Sequence, residues 1–112
     1  MISNVSAASP TNAFAALADP TRRAIFEHLA RSGEQNVGML TARAGVSQPA
    51  VSKHLAVLAR ARLARARPAG RQTFYSARPA GLKPLVDWIA RYRAFWTEHV
   101  DRLEQLLEKM DE

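Results

Sequence analysis

The side chains best suited to contact a ligand lie together in residues 47–55, where short polar and basic groups follow one another. Gln48 suits an adenine edge, Ser52 a base edge or a phosphate, and His54 a base acceptor or a phosphate. Lys53 is a general phosphate contact, although a solvated lysine would give the same pattern. Spaced along one helix, these residues predict a surface that reads bases in the major groove of duplex DNA.

The elements that must position these side chains are two short helices joined by a tight turn. The first helix is predicted over Val37–Ala44 with Leu40 inward, and Gly45 ends it because glycine tolerates positive φ. Ser47 supplies the N-cap oxygen of the second helix, and Pro49 fits its first turn. Apolar residues at i, i+4 and i+7 predict the core-facing side of the second helix, namely Val51, Leu55 and Leu58.

A basic β-hairpin is predicted to follow the second helix. Two short strands are expected over residues 63–67 and 72–77. A type I turn joins them, with Pro68 at its first central position and Gly70 in the left-handed conformation. Such a ribbon is placed to contact the DNA backbone or the minor groove. The basic residues expected to contact phosphate, on the helices and the hairpin, are Arg43, Lys53, Arg65, Arg67 and Arg71.

Charge is distributed unevenly along the chain. Nine of the 16 Lys and Arg residues lie between Gln35 and Val86, whereas all ten Asp and Glu residues lie outside that stretch. A middle segment of one sign between flanks of mixed charge predicts a surface for a polyanion. An arginine-rich composition with an ordinary solvated surface would give the same net charge of +6, and it is kept as the alternative.

The length and composition indicate one domain. We expect residues 1–10 to form a flexible tail and residues 11–112 a single domain with a modest core. No window approaches the length of about 20 apolar residues that a membrane span needs, and the first ten residues do not resemble a secretory signal. Cysteine is absent, which excludes disulfides and thiolate metal sites. We therefore expect a cytoplasmic protein without a cofactor.

Two further helices are predicted before the acid-free segment. The first covers Thr11–Ala18, with Phe14 and Leu17 as apolar residues three positions apart. The second begins with an Asp-Pro cap and ends at a Ser-Gly pair. The residues that mark its two ends are Asp19, Pro20, Ser32 and Gly33. Its buried stripe is expected to consist of Ala24, Ile25, Leu29 and Ala30.

A long C-terminal helix is predicted over residues 84–110. Its residues at alternating steps of four and three form a coiled-coil-like seam: Leu85, Ile89, Tyr92, Trp96, His99, Leu103, Leu106 and Met110. Trp88 and Phe95 form a second row beside it. Because so small a domain cannot bury both rows, a second subunit is the economical explanation. An effector pocket lined by the aromatic residues is kept as the alternative to a dimer core.

Two blocks resemble the signature blocks of the ArsR family of bacterial repressors, namely LADPTRRAI at residues 17–25 and SQPAVSKHL at residues 47–55. The Gly70-Arg71 turn and the run YRAFW at residues 92–96 are similar to a subgroup of that family that looks metal-independent. The resemblance implies a mainly α fold with a small β-hairpin wing, a winged helix-turn-helix with the order α-α-α-α-β-β-α. It also implies a homodimeric repressor that an inducer releases from its operator.

The resemblance further implies that the first and last helices form the dimer. The residues expected there are Phe14, Leu17, Trp88, Tyr92, Phe95, Trp96 and Leu103. Metal-sensing members of the family use Cys near the reading helix, or paired Asp and His on the last helix. This chain has no Cys, and its last helix offers only His99 among several acids, so no metal is expected.

The candidate DNA-binding residues are Ser47, Gln48, Pro49, Ser52, Lys53 and His54 together with Arg43, Arg65, Arg67 and Arg71. A dimer would present two reading helices ~34 Å apart to a near-palindromic site. The alternatives are an architectural protein that binds DNA without sequence preference and a helical interaction module that no longer binds DNA. An enzyme is not expected, because no phosphate loop, metal cluster or nucleophile frame is found.

Overall fold

The computed structural model describes residues 9–111 and contains six α-helices and three short strands over that range. Of the predicted tail 1–10, residues 1–8 lie outside the described residues. In chain order the elements are α1 (Thr11–Ala18), α2 (Pro20–Ser32), β1 (Gln35–Asn36), α3 (Val37–Ala44), α4 (Gln48–Arg60), β2 (Ala64–Ala69), β3 (Gln72–Ala77), a 3₁₀ turn (Pro79–Leu82), α5 (Lys83–Ala90) and α6 (Arg93–Asp111). This mainly α fold with a small sheet is the predicted winged helix-turn-helix.

The helix ends follow local capping chemistry. The side-chain oxygens of Asp19, Asn36 and Ser47 accept hydrogen bonds of 2.8, 2.8 and 3.3 Å from the backbone N–H three residues on. Helix α2 ends at Gly33, with φ 79°, and α3 ends at Gly45, with φ 71°. The predicted caps and stops are therefore confirmed, and Asn36 is an additional cap.

The hydrophobic core is centred on α4. Its three predicted core residues, Val51, Leu55 and Leu58, are all 0% exposed. Around them lie other buried side chains, namely Ile25, Phe26 and Leu29 of α2, Leu40 of α3, Leu63 just before β2, Ala64 of β2, and Ala13 and Ala16 of α1. Close packing of these side chains holds the short helices at fixed angles, because isolated helices of this length are marginal in water.

The predicted stripe of α2 is half right. Ile25 and Leu29 are buried, but Ala24 and Ala30 are exposed and Phe26 is buried in their place. Helix α2 packs against both α4 and β3, so its buried face extends to the side on which Phe26 lies next to Leu29. The large side chain of Phe26 fills the space on this side, which the small side chains of Ala24 and Ala30 could not fill.

The sheet is antiparallel, with the strand order β1-β3-β2. Strand β1 was not predicted, because two residues are too few to show an alternating pattern. It pairs with β3 through Gln35 opposite Tyr75 and Asn36 opposite Phe74, so the wing is joined to the segment that begins α3.

The turn of the wing differs from the prediction. Ala69 pairs with Gln72, which leaves the two-residue turn Gly70-Arg71, and the predicted type I turn starting before Pro68 is wrong. Pro68 instead lies within β2, which tolerates it because β2 is an edge strand. The left-handed conformation of Gly70 is confirmed, with φ 64°, as the first position of a tight hairpin turn requires.

The single helix predicted over residues 84–110 is wrong in its continuity. At Arg91 and Tyr92 the backbone N–H groups bond the carbonyls three residues earlier, at 3.3 and 3.0 Å, which separates α5 from α6. Such tight i→i−3 bonds end one helix locally, although neither proline nor glycine lies at the break. The predicted seam is therefore divided between two helices.

The C-terminal helices receive little support from the rest of the chain. Every residue over 86–111 is exposed, and the principal extents of the molecule are 61, 42 and 20 Å. Within residues 9–111, no helix is long and apolar enough to cross a membrane.

Candidate nucleic-acid interface

The two faces of α4 are chemically distinct. Val51, Leu55 and Leu58 are buried in the core, whereas the side chains of Gln48, Ser52 and Lys53 are exposed. Ser47 and Pro49 are exposed at the N-terminus of the helix, where the Ser47 hydroxyl caps the backbone. A helix that is anchored on one side and polar on the other, with its N-terminus free, has the geometry of a reading helix in the major groove.

An open cavity of ≈520 Å³ lies between α4 and the wing. Gln48 and Ser52 line it from α4, and Arg71 lines it from the turn of the wing. The opposite wall includes Asn36, whose side-chain amide donates to Gln72 at 2.8 Å. The structure thus brings together three of the predicted residues, and it adds two polar residues that the sequence analysis missed because β1 was not recognised.

His54 does not share the exposed face of α4 with Gln48 and Ser52, which corrects its predicted placement. Its ring lies half-buried against the start of α2, with Nε2 3.9 Å from the Asp19 carboxylate and Nδ1 3.4 Å from the Arg22 guanidinium. Turning by about 100° per residue, α4 carries this position round to the side on which α2 packs. The hydrogen bond from the Arg22 backbone N–H, with a smaller contribution from His54, lowers the pKa of Asp19.

Arg67 forms an ion pair with Glu34, and its predicted contact with phosphate stays a prediction. Its guanidinium donates to both carboxylate oxygens of Glu34, at 2.9 and 2.8 Å, and lies 5.1 Å from the centre of the Phe74 ring. The hydrogen bond from Arg67 lowers the pKa of Glu34, and the same contact raises the pKa of Arg67.

The other predicted phosphate contacts are not neutralised in this way. These contacts are Arg43, Lys53, Arg65 and Arg71. Over residues 9–111, no carboxylate lies within 4 Å of any of their side-chain nitrogens. Arg43 lies at the end of α3 and lines a separate cavity of ≈400 Å³ between α2 and α3. Lys53, Arg65 and Arg71 are exposed on α4 and on the wing.

Exposed aromatic side chains form two groups along the C-terminal helices. Phe14 of α1 meets Trp88 edge to face at 5.3 Å, and Trp88 meets Tyr92 at 5.0 Å. On α6, Phe95 stacks on the His99 ring at 4.0 Å and meets Trp96 at 6.4 Å. Each of these aromatic residues is at least 36% exposed, Leu103 is 56% exposed, and Leu17 is half-buried. In the described part of the chain, no three His, Asp or Glu side chains are grouped so as to hold a metal ion.

Known proteins resemble this chain in both sequence and structure. Residues 17–67 match a helix-turn-helix domain family. The HTH-type transcriptional regulator Rv2034 of Mycobacterium tuberculosis is 47% identical over 100 residues, covering 89% of this chain and 90% of that protein. The transcriptional repressor SdpR of Bacillus subtilis is 30% identical over 81 residues, covering 72% and 89%. The structure of an ArsR-like transcriptional regulator from a Rhodococcus species is 32% identical, covers 86% of this chain and 90% of its own, and superposes with a TM-score of 0.67.

Proposed function

We propose that this chain, which belongs to the ArsR family of helix-turn-helix transcriptional regulators, binds its operator as a homodimer and represses transcription until a signal releases it. The chain is a sequence-specific DNA-binding regulator and not an enzyme. The observation that carries the proposal is the open cavity between α4 and the wing, where Gln48, Ser52 and Arg71 face the same space. Because operator DNA lies in the cytoplasm of a bacterium, we infer that the protein acts there.

Base selection is assigned to the exposed side chains of α4. A glutamine amide can donate to and accept from an adenine edge together, which a point charge cannot do. Gln48 is therefore the principal reader, with Ser52 one turn further along the same face. Ser47 and Pro49 set the start of the helix and bring its N-terminus toward the DNA backbone.

Backbone affinity is assigned to the basic residues without a carboxylate partner. Arg71 at the turn of the wing, Arg65 on β2 and Lys53 on α4 are exposed, and each can replace a condensed counterion on the DNA. Arg43 reaches the backbone from the end of α3. Arg67 acts differently, because its ion pair with Glu34 holds the wing in place.

The homodimer is supported by the apolar surface that one protomer leaves uncovered. Large apolar side chains continue along α5 and α6 without a covering element, including Val86, Ile89, Trp96, Leu103, Leu106 and Leu107. Soluble monomers rarely expose so continuous an apolar surface. A second copy packed on α1, α5 and α6 would bury it and set two α4 helices ~34 Å apart, one turn of DNA.

Selection from a pool of random duplexes, with the mass of the protein measured at the same concentration, tests the proposal. An inverted repeat enriched by a dimer is the expected result. If binding is equal for all sequences and only fades as salt rises, the protein is an architectural DNA binder. If a monomer binds a single half-site, the homodimer is wrong while base selection stands.

A further inference from the structure

A second basic cavity lies at the opposite end of α4 from Gln48. It has a volume of ≈260 Å³ and is lined by Arg60, Arg62 and Arg78, with Asn12 of α1 beside them. Helix α4 rises about 18 Å between its first and last residues, so this arginine cavity is separate from the groove beside the wing. These arginines belong to the acid-free segment 35–86, and no role was predicted for them.

The backbone at Arg62 is in an unfavourable conformation. Its φ is 62°, and among the described residues it is the one non-glycine residue with a positive φ. Arg62 N–H bonds Ala59 at 3.0 Å and Leu63 N–H bonds Leu58 at 2.8 Å, which is the Schellman arrangement that normally places glycine at this position. A side chain other than glycine at such a site is kept against a conformational cost.

The charges of the arginine cavity are not balanced by the protein. Across residues 9–111, no carboxylate lies within 4 Å of Arg60, Arg62 or Arg78. Three arginine residues line this one small cavity, and their like charges favour the binding of an anion there. A guanidinium group pairs with two phosphate oxygens through two parallel hydrogen bonds, whereas a lysine ammonium acts as a point charge. Arginine is therefore better suited than lysine to hold a phosphate in this cavity.

We propose that the arginine cavity binds the phosphate group of a small phosphorylated molecule. The cavity borders α1 and the start of α5 at Pro84, as well as the end of α4. An anion bound there joins the reading helix to helices that we assign to the dimer. The link to the dimer rests on the proposed function, whereas the binding site itself does not.

Calorimetric titration of the full chain with pyrophosphate, at constant ionic strength, tests the site. We expect saturable binding by the unaltered protein, and at least tenfold weaker binding by Arg62→Gly and Arg78→Gln. Arg62→Gly separates binding from folding, because glycine suits the positive φ and the melting temperature is expected to stay equal or rise. Arg65→Ala, an exposed arginine of the wing, is the matched control and is expected to bind pyrophosphate normally.

Binding of a mixed-sequence duplex distinguishes a small phosphorylated ligand from the DNA backbone. If Arg62→Gly binds the duplex like the unaltered protein but has lost pyrophosphate, the proposal stands. If it loses duplex binding as Arg71→Ala does, the cavity contacts DNA and the proposal is wrong. Absence of saturable pyrophosphate binding, or equal binding by Arg62→Gly, also overturns it, even where operator selection succeeds.

Discussion

Arg67 on β2 and Glu34, between α2 and β1, form a two-point ion pair with nitrogen–oxygen distances of 2.9 and 2.8 Å. The pair fastens the edge strand of the wing to the segment that leads into α3. Both side chains remain partly exposed, at 55% and 36%, so solvent and salt weaken the attraction.

Glu34→Gln is expected to lower the stability slightly at neutral pH and to loosen the wing. The ion pair lowers the pKa of Glu34 from its ordinary value of 4.5, so its contribution is complete above that value and disappears as the pH falls through the lower folded-state pKa. The free energies of unfolding of the unaltered protein and Glu34→Gln, measured in urea, should therefore differ at pH 7 and become equal in acid. Glu27→Gln, an exposed residue of α2, is the control, and a difference that persists in acid would contradict the ion-pair explanation.

Gln48→Ala is expected to reduce the preference among duplex sequences. Loss of one two-point base contact removes roughly 1–3 kcal/mol of discrimination at one position. Affinity for the best site should therefore fall about tenfold or more, while affinity for random duplex changes little. Competition binding against single-base variants of the selected site measures this, and an unchanged ranking of those variants would show that Gln48 is not the reader.

Arg71→Ala is expected to weaken binding to every duplex by a similar factor. A phosphate contact carries no base information, and its removal lowers the slope of log affinity against log salt by about one. Titrations at several salt concentrations, on the selected site and on a random duplex, check both statements. Should the ranking of sites change in Arg71→Ala, the wing would be reading bases or groove shape rather than the backbone.

His54→Ala is expected to lower stability and affinity for all duplexes together, without altering their ranking. The ring lies between α4 and the start of α2, beside Asp19 and Arg22. Arg22 also donates to carbonyls of the last turn of α1. The contacts of His54, Asp19 and Arg22 therefore join α1, α2 and α4. Thermal unfolding and competition binding, measured on one preparation, test this prediction. If the order of duplex affinities changes while the melting temperature stays normal, His54 contacts bases.

The elements that the sequence predicts well are those with local causes. Asp19 and Ser47 cap helices through bonds within one turn, and the burial of Val51, Leu55 and Leu58 follows from helical spacing alone. These signals require no knowledge of the partner element.

The prediction errors arise where a contact with an element far away in the sequence determines the structure. Strand β1 exists because β3 lies beside it, and Phe26 is buried because α2 packs on two elements at once. Arg67 and Glu34 are 33 positions apart, and His54 meets Arg22 across 32 positions. A pattern read along one helix or strand contains no record of such contacts, so the composition of the candidate site was predicted better than its geometry.

Trp96→Ala is expected to weaken the dimer and DNA binding together. Trp96 is 55% exposed on α6, and a buried aromatic anchor typically contributes 2 kcal/mol or more to an interface, roughly a thirtyfold change in dissociation constant. Sedimentation at low micromolar concentration, with Glu104→Ala as an exposed control on the same helix, measures the change. A Trp96→Ala protein that stays dimeric there would show that Trp96 is not an anchor of the dimer.

Gly81→Ala is expected to destabilise the fold by about 2–4 kcal/mol, because the added Cβ meets backbone rather than a flexible side chain. That atom would lie 2.1 Å from the carbonyl oxygen of Arg62 and 2.8 Å from its carbonyl carbon. The Arg62 backbone is fixed by the bonds that end α4, so it cannot move away cheaply. Gly38→Ala is the matched control, since its nearest neighbour is the Asn36 side chain at 3.5 Å and alanine favours the α3 helix. Urea unfolding at one protein concentration compares the two variants, and equal midpoints would mean that the 3₁₀ turn does not pack against the end of α4 as described.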